Sequence, residues 1–170
     1  MCIRDSIVPV ENQARVQMAT VLQEDFAKLG IKMTIAPIEF GQLEERWRKT
    51  FDYDAVLLGA STSEPDPSSY AGFVMSSGAV HQWNPLQNSP ATDWERRADK
   101  LMEAQAREQN TERRLAIFHE IQALYREQMP IIPIVARHIT TAANTRTGNY
   151  RPAISPPFSL WNAEELFVRK

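Results

Sequence analysis

In the first sixty positions, the spacing of apolar residues changes several times along the chain between two patterns, which predicts that strands and helices follow each other. Alternation with a period of two marks the strands, and recurrence every three or four residues marks the helices. Asn12 is suited to cap the first helix, because its side chain accepts a hydrogen bond from a free backbone N–H, and Gly30 is suited to end it. The predicted elements are strands at residues 7–10, 31–38 and 53–58 and helices at residues 13–29 and 41–49.

Two further helices are predicted in the second half of the chain. Thr92 and Glu95 form a capping box at the start of the first, in which each side chain satisfies a free backbone N–H. The second covers about residues 112–128 and ends before Pro130. Residues 131–136 are apolar and are expected to form a strand.

The order strand–helix–strand–helix–strand predicts a parallel sheet covered by helices. The third strand ends at Gly59, and residues 60–67 after it are all small, acidic or proline. Ligands of such sheets bind beyond the carboxyl ends of the strands. The loop after the third strand is therefore the place where the sequence predicts function.

Charge and cysteine content exclude some partners and some chemistry. The chain has 19 Lys and Arg against 21 Asp and Glu, and this net charge of -2 gives no basis for binding nucleic acid or an anionic membrane. A basic cluster at residues 46–49 lies next to Glu44 and Glu45, as on a solvated helix face. Cys2 is the only cysteine, so neither a disulfide framework nor a thiol pair is possible.

Catalytic and metal-binding patterns are weak. Residues 59–63 (GASTS) approach the nucleophile elbow G-x-S-x-G, but Ser63 replaces the final glycine, and prolines follow where the elbow needs a helix. His81, His119 and His138 are widely separated, and none has a second ligand at a metal-binding spacing. We therefore predict that the chain is not an enzyme and uses neither a cofactor nor a metal.

A response-regulator receiver domain is an alternative for the same order of elements. Residues 54–58 resemble its third strand, after which a phosphoacceptor Asp is expected, but Gly59 stands there. The acidic pair expected after the first strand is also missing, because Glu11 is the only carboxylate at that point. Such a signalling domain would lack its phosphoacceptor.

Six short segments occur in a telling order: NQAR at 12–15, LGIKM at 29–33, FDYDA at 51–55 with DP at 66–67, HQWNP at 81–85, MPIIPI at 129–134 and LWN at 160–162. None of them is specific alone. As an ordered set, they resemble the C-terminal lobe of the bacterial extracellular solute-binding proteins of family 5, the oligopeptide- and dipeptide-binding type that serves ABC importers. The final LWN segment resembles the closing strand of the family.

The resemblance implies an α/β fold of the type II periplasmic-binding-protein kind, here a βαβαβ C-terminal lobe flanked by helices and truncated at its N-terminus. In this scheme residues 7–136 form the lobe and residues 137–170 cross back to a first lobe. Residues 1–6 lack the features of a signal peptide, and we expect them to be a non-native prefix.

The function implied by the resemblance is the capture of a small solute, a peptide or else a sugar or other compound, between two lobes that close by hinge motion. The closed receptor then docks on ABC permease subunits in the membrane. The resemblance also implies a periplasmic or extracellular location, and we expect a monomer. A further alternative is that the chain, as a fragment, binds nothing because half of its cleft is absent.

The resemblance places the loop after the third strand at the ligand cleft. Peptide-binding relatives carry an aspartate there that pairs with the ligand's amino terminus. The equivalent position here is Ser63, and its neighbour Glu64 is a possible substitute. The candidate ligand-binding residues are Ser61, Thr62, Ser63, Glu64, Asp66, Trp83 and Asn84.

Two of these assignments have a plainer alternative. Glu64 and Asp66 are flanked by prolines and also suit an ordinary turn. The indole of Trp83 offers an apolar face to a ligand, or else it packs within its own loop. The sequence leaves both alternatives open.

Overall fold

The structure, a computed structural model, describes residues 2–59, 64, 66–85, 87–136 and 138–169. These residues fall into two units, each described by itself below. The sheet unit comprises Met1–Ser61 and Ala79–Ser89, and the helical unit comprises Thr62–Gly78 and Pro90–Lys170.

The sheet unit contains β1 (Cys2–Pro9), α1 (Gln13–Lys28), β2 (Lys32–Ile38), α2 (Phe40–Glu45), a π-helical turn (Arg46–Thr50) and β3 (Ala55–Val56). The three strands are parallel and lie in the order β2-β1-β3. Ile7 of the central strand lies opposite Ala36 of β2 and Val56 of β3. The predicted order of elements and the parallel sheet are confirmed.

The ends of α1 follow from the residues found there. Asn12 caps the helix as predicted, because its Oδ1 accepts a hydrogen bond from the backbone N–H of Arg15 at 3.1 Å. Gly30 follows the helix with φ of 74°, a conformation that side chains with a Cβ rarely adopt. Asn12 therefore defines the start of α1, and Gly30 allows the chain to turn from α1 into β2.

The central strand β1 is buried on both sides of the sheet. Ile7 and Val8 have no exposed surface, and successive residues of a strand point to opposite faces. On one face Ile7 packs in a core with Leu43 of α2 and Trp47 of the π-helical turn. Both faces are therefore covered, as is usual for a parallel sheet.

The helical unit is organised by two long helices. It contains a 3-10 turn (Pro67–Tyr70) that leads into α3 (Ala71–Val74), then α4 (Asp93–Arg107) and α5 (Thr111–Gln128). The predicted capping box at the start of α4 is confirmed, with Thr92 and Glu95 each accepting from the other's backbone N–H. The buried core of the unit consists of Val74, Ala98, Met102, Ile121 and Leu124.

The last part of the chain is mostly irregular. Two short strands pair antiparallel, β4 (Thr147–Gly148) with β5 (Phe167–Val168). Between them lie two 3-10 turns, Phe158–Leu160 and Ala163–Glu165. The side chain of Asn162, which is almost fully buried, donates a hydrogen bond to the backbone oxygen of Asn149 at 3.0 Å.

Two strand predictions were wrong. Residues 131–136 form no strand, because Pro130 and Pro133 lack the N–H that a ladder needs and no described strand pairs with this segment. The LWN segment at residues 160–162 is also not a strand: a 3-10 turn ends at Leu160, and the closing strand is β5.

Other boundaries differ from the prediction. β1 starts at Cys2 rather than at residue 7, because Cys2 and Ile3 continue the pairing with β2. β3 covers two residues rather than six, although the backbone bonds from Asp54 to Asp5 and from Leu57 to Ile7 continue along the same line. Any segment can pair through its backbone groups, whether or not it belongs to the natural chain. The assignment of residues 1–6 as a non-native prefix therefore stays a prediction.

Candidate ligand-binding site

The predicted ligand-binding residues lie in different parts of the chain. Residues 61–63 lie outside the described residues, and their assignment stays a prediction. The imperfect nucleophile-elbow pattern, in which Ser61 occupies the position of the nucleophile, also lies in this segment. The remaining four residues are divided between the units, with Glu64 and Asp66 in the helical unit and Trp83 and Asn84 in the sheet unit.

Asp66 has both carboxylate oxygens hydrogen-bonded within the helical unit. Nη1 and Nη2 of Arg114 donate to its Oδ2 and Oδ1 at 2.8 and 2.6 Å. Oδ1 also accepts from the backbone N–H of Ser68 at 2.8 Å, so Asp66 caps the 3-10 turn that follows it. The Arg114 guanidinium, together with the Ser68 N–H, lowers the pKa of Asp66 below its usual value. Asp66 is thus a turn residue, which was the plainer alternative for it, and a ligand contact by Asp66 stays a prediction.

Glu64 is exposed, and its backbone is tied to the same turn. The hydroxyl of Ser69 lies 3.0 Å from the carbonyl oxygen of Glu64 and 2.6 Å from that of Asp66, and it donates to this pair of carbonyls. The position of Glu64 is therefore linked through Ser69 to the position of Asp66. Its role as a counter-charge for a ligand amine stays a prediction.

Trp83 packs against a neighbour in its own loop. Its ring lies on the ring of His81, with centroids 3.8 Å apart, and His81 has no exposed surface. The indole N–H of Trp47 donates to the backbone oxygen of Gln82 at 2.8 Å and so holds this segment to the core of the sheet unit. These contacts support the packing alternative for Trp83, which is partly exposed and for which ligand contact stays a prediction.

Asn84 is exposed and lies in a turn. Its backbone N–H donates to His81 at 3.3 Å, and its carbonyl oxygen accepts from the N–H of Gln87 at 3.1 Å. The turn therefore fixes the backbone of Asn84 through local bonds. Its predicted ligand contact is untested.

Arg15 and Arg114 are two polar side chains near the predicted loop that sequence reasoning did not single out for a role. A Cβ added to Gly59 would lie 2.5 Å from Nη2 of Arg15, so glycine at this position permits the guanidinium to pack against the backbone just beyond β3. Arg15 and Gly59 are 44 positions apart, and Arg114 and Asp66 are 48 apart. No periodicity or local motif connects residues at such separations.

The helical unit also has an open apolar groove with a volume of about 400 Å³. None of the seven predicted ligand-binding residues contributes to it. The residues that line it are Tyr70, Phe73, Val74, Phe118, Ile121, Gln122, Tyr125, Arg126, Met129, Ile131 and Pro133.

The described residues contain neither a candidate metal site nor a candidate membrane span. Within them, no three His, Cys, Asp or Glu side chains are grouped in a way that could hold a metal ion. Within the same ranges, no helix has the length and apolar character needed to cross a lipid bilayer.

Comparison with known proteins gives matches along most of the chain. Residues 5–82 match the family described as bacterial extracellular solute-binding proteins, family 5 Middle. The chain is 32% identical over 154 residues to Di/tripeptide-binding protein 1 of Pseudomonas aeruginosa (strain UCBPP-PA14). That match covers 90% of this chain and 27% of the relative, so the chain spans about a quarter of the relative's length.

Solved structures show the same fold. The oligopeptide-binding protein AppA from Bacillus subtilis, in complex with a nonapeptide, matches with a TM-score of 0.60 at 19% identity, over 99% of this chain and 32% of AppA. The protein AgaA from A. tumefaciens R10, in complex with agropinic acid, matches with a TM-score of 0.59 at 18% identity, over 76% of this chain and 25% of AgaA. The α/β fold is that of part of a type II periplasmic binding protein, as predicted.

The family match in the first half of the chain and the relative that covers nine-tenths of it lead to the same assignment. The predicted resemblance to this family is thereby confirmed. The chain belongs to the bacterial extracellular solute-binding proteins of family 5.

Proposed function

We propose that this chain forms one lobe of the substrate-binding component of an ABC transporter. The complete receptor captures a peptide or a similar small solute between two lobes and delivers it to permease subunits in the membrane. The observation that carries this proposal is the 32% identity to a di/tripeptide-binding protein over 90% of the chain. The parallel sheet with an acidic and serine-rich segment after β3 supports it, since ligands of such sheets bind at the carboxyl edge.

A peptide is the ligand class that we favour, because the relative and the AppA structure are both peptide binders by description. The agropinic acid complex of AgaA supports keeping other small solutes open. The proposed receptor acts by binding alone, without catalysis, cofactor or nucleic acid. We place it as a monomer in the periplasm or outside the cell.

The signalling alternative has less support. A receiver domain needs a phosphoacceptor aspartate directly after the third strand, and Gly59 occupies that part of the chain with Arg15 packed against it. No comparison favours this alternative.

The proposal is tested by titrating di-, tri- and oligopeptides into the complete receptor that contains these 170 residues, using isothermal calorimetry. We expect saturable binding by the complete receptor. The 170-residue chain is titrated in parallel, and we expect no measurable heat, because a ligand enclosed by two lobes loses most of its contacts when one lobe is absent.

Two outcomes would contradict the proposal. Failure of the complete receptor to bind any peptide or other transported solute would remove the receptor assignment. Equal affinity of the 170-residue chain and the complete receptor would show that the ligand does not lie between two lobes.

A further inference from the structure

Four polar side chains of the helical unit form a closed network that joins the start of the unit to both long helices. Arg114 of α5 donates through both terminal nitrogens to Asp66, and Nη2 also donates to the hydroxyl of Ser68 at 2.8 Å. Its Nε donates to Oε1 of Gln105 in α4 at 3.0 Å. Gln105 in turn donates through Nε2 to Ser68 at 3.2 Å. We call these four residues the Arg114 clamp.

The geometry of the clamp requires an arginine. Three nitrogens of one planar guanidinium are used in two directions, toward the carboxylate and toward the amide, and a lysine ammonium cannot reproduce this fork. Gln105 has no exposed surface, and the side chains of Arg114 and Asp66 are 27% and 42% exposed, so the amide end of the clamp is shielded from water and the ion pair is partly shielded. Paired charges that are partly buried in this way interact more strongly than charges at an open surface.

The clamp reaches the predicted ligand loop through the backbone. Asp66 is held by Arg114, and the hydroxyl of Ser69 connects the carbonyl of Asp66 with that of Glu64. Glu64 lies five residues after Gly59, where the third strand was predicted to end. Fixing Asp66 therefore limits where the last part of this loop can lie.

We propose that Arg114 is a positioning residue of the ligand site: it holds Asp66, and through Asp66 and Ser69 it orders Glu64 and residues 66–69 near the end of the loop after β3. This inference rests on the proposed function. Asp66, in this assignment, influences ligand affinity only through the position of the loop and makes no contact with the ligand itself. Asp66 thereby differs from the other candidate ligand-binding residues, for which direct contact with the ligand is predicted.

The first measurement needs no ligand. Hydrogen–deuterium exchange of the complete receptor is compared for the wild type, Arg114→Met and the matched control Arg113→Met, which removes the same charge from the exposed neighbouring position on α5. We expect exchange at the backbone amides of Glu64, Asp66, Ser68 and Ser69 to rise about tenfold in Arg114→Met and to stay unchanged in Arg113→Met. Arg114→Lys retains the charge without the fork and should give an intermediate rise.

The second measurement is a double-mutant cycle on peptide affinity. We expect Arg114→Met and Asp66→Asn each to weaken binding about tenfold, and the double variant to bind no more weakly than either single variant, because both changes open the same clamp. If the two losses multiply, Asp66 acts on the ligand independently and the inference is wrong. Unchanged exchange at the backbone amides of Glu64, Asp66, Ser68 and Ser69 in Arg114→Met would overturn it as well.

The design separates the two proposals. If the wild-type receptor binds no solute, the proposed function fails, while the exchange measurement still decides whether Arg114 orders the loop. If Arg114→Met does not fold, Arg114→Lys replaces it in both measurements and the same comparisons apply. A rise in exchange that spreads evenly through α4 and α5 would show a general role in stability and would contradict positioning.

Discussion

Helices α4 and α5 and residues 129–136, the segment that follows α5, all contain large apolar side chains, but they differ in how much of these side chains is buried. Met102 and Ile121 of the helices are 1% exposed, whereas Ile132 and Val135 of the segment are 78% and 70% exposed. Helix α4 concentrates its apolar residues on one stripe, and this stripe packs against Ile121 and Leu124 of α5. The segment is interrupted by prolines, and although its first residues line the apolar groove beside α5, Ile132 and Val135 are left mostly exposed. Apolar content alone therefore does not show what a segment packs against.

The largest effect is expected in the helical core. Ile121→Ala should lower the free energy of unfolding by about 2–5 kcal/mol, because it removes buried methyl groups and leaves a cavity between α4 and α5. Urea unfolding followed by circular dichroism measures this change. A loss below about 1 kcal/mol would mean that the two helices do not form the core described above.

The helix cap of α4 is expected to have a smaller effect. Thr92→Ala removes the hydroxyl that accepts from the backbone N–H of Glu95 and should lower the free energy of unfolding by about 1 kcal/mol. Thr111→Ala is the matched control, because Thr111 is exposed and Asn110, not Thr111, caps α5. If both variants lost the same free energy of unfolding, the loss in Thr92→Ala could not be attributed to the helix cap.

Shortening an exposed apolar side chain of this segment should hardly change the stability of the 170-residue chain. Ile132→Ala is expected to change the free energy of unfolding by less than about 0.5 kcal/mol, because Ile132 is 78% exposed. The same substitution in the complete receptor sharpens the comparison, since a larger loss there would show that another part of the receptor covers the segment. A large loss in the 170-residue chain itself would contradict the exposure described here.

The smallest effect is the change of the free energy of unfolding with pH that Asp66 causes. Its folded-state pKa lies below the ordinary value of 3.8, chiefly because of the hydrogen bond from Arg114. A carboxyl with a lowered folded-state pKa stabilises the protein above its unfolded pKa, and this stabilisation is lost as pH falls through the folded pKa. The stability difference between the wild type and Asp66→Asn should therefore be constant above about pH 5 and decrease below about pH 4. A carbon-13 NMR titration of the Asp66 carboxyl measures the pKa directly, and an unshifted value would contradict the ion pair.

Local patterns predicted the fold well and the site poorly. The cap at Asn12 and the capping box at Thr92 each depend on two residues three positions apart, and the structure contains both. The parallel sheet followed from the order of elements. A strand pattern at residues 131–136, in contrast, says nothing about whether a neighbouring strand exists.

The contacts around the candidate site involve residues that are far apart in sequence. Arg114 reaches Asp66 across 48 positions, and Trp47 reaches Gln82 across 35. Helical spacing places Arg114, seven residues before Ile121, on the buried side of α5 and leaves Arg113 exposed, but no pattern within the helix indicates that Asp66 is the partner of Arg114. Sequence reasoning therefore identified Asp66 as a candidate without identifying what binds it.

The order β2-β1-β3 has a consequence for how the sheet unit assembles. Ile7 pairs with Ala36 and Val56, so the middle strand is the first to be synthesised and its two neighbours arrive about 30 and 50 residues later. Until then β1 presents unpaired N–H and C=O groups on two sides, in a run whose Ile7 and Val8 are among the most buried residues of the folded unit. The nascent chain is therefore most exposed to wrong pairing during the interval before β3 emerges, whereas α4 and α5 need only a short turn between them to associate.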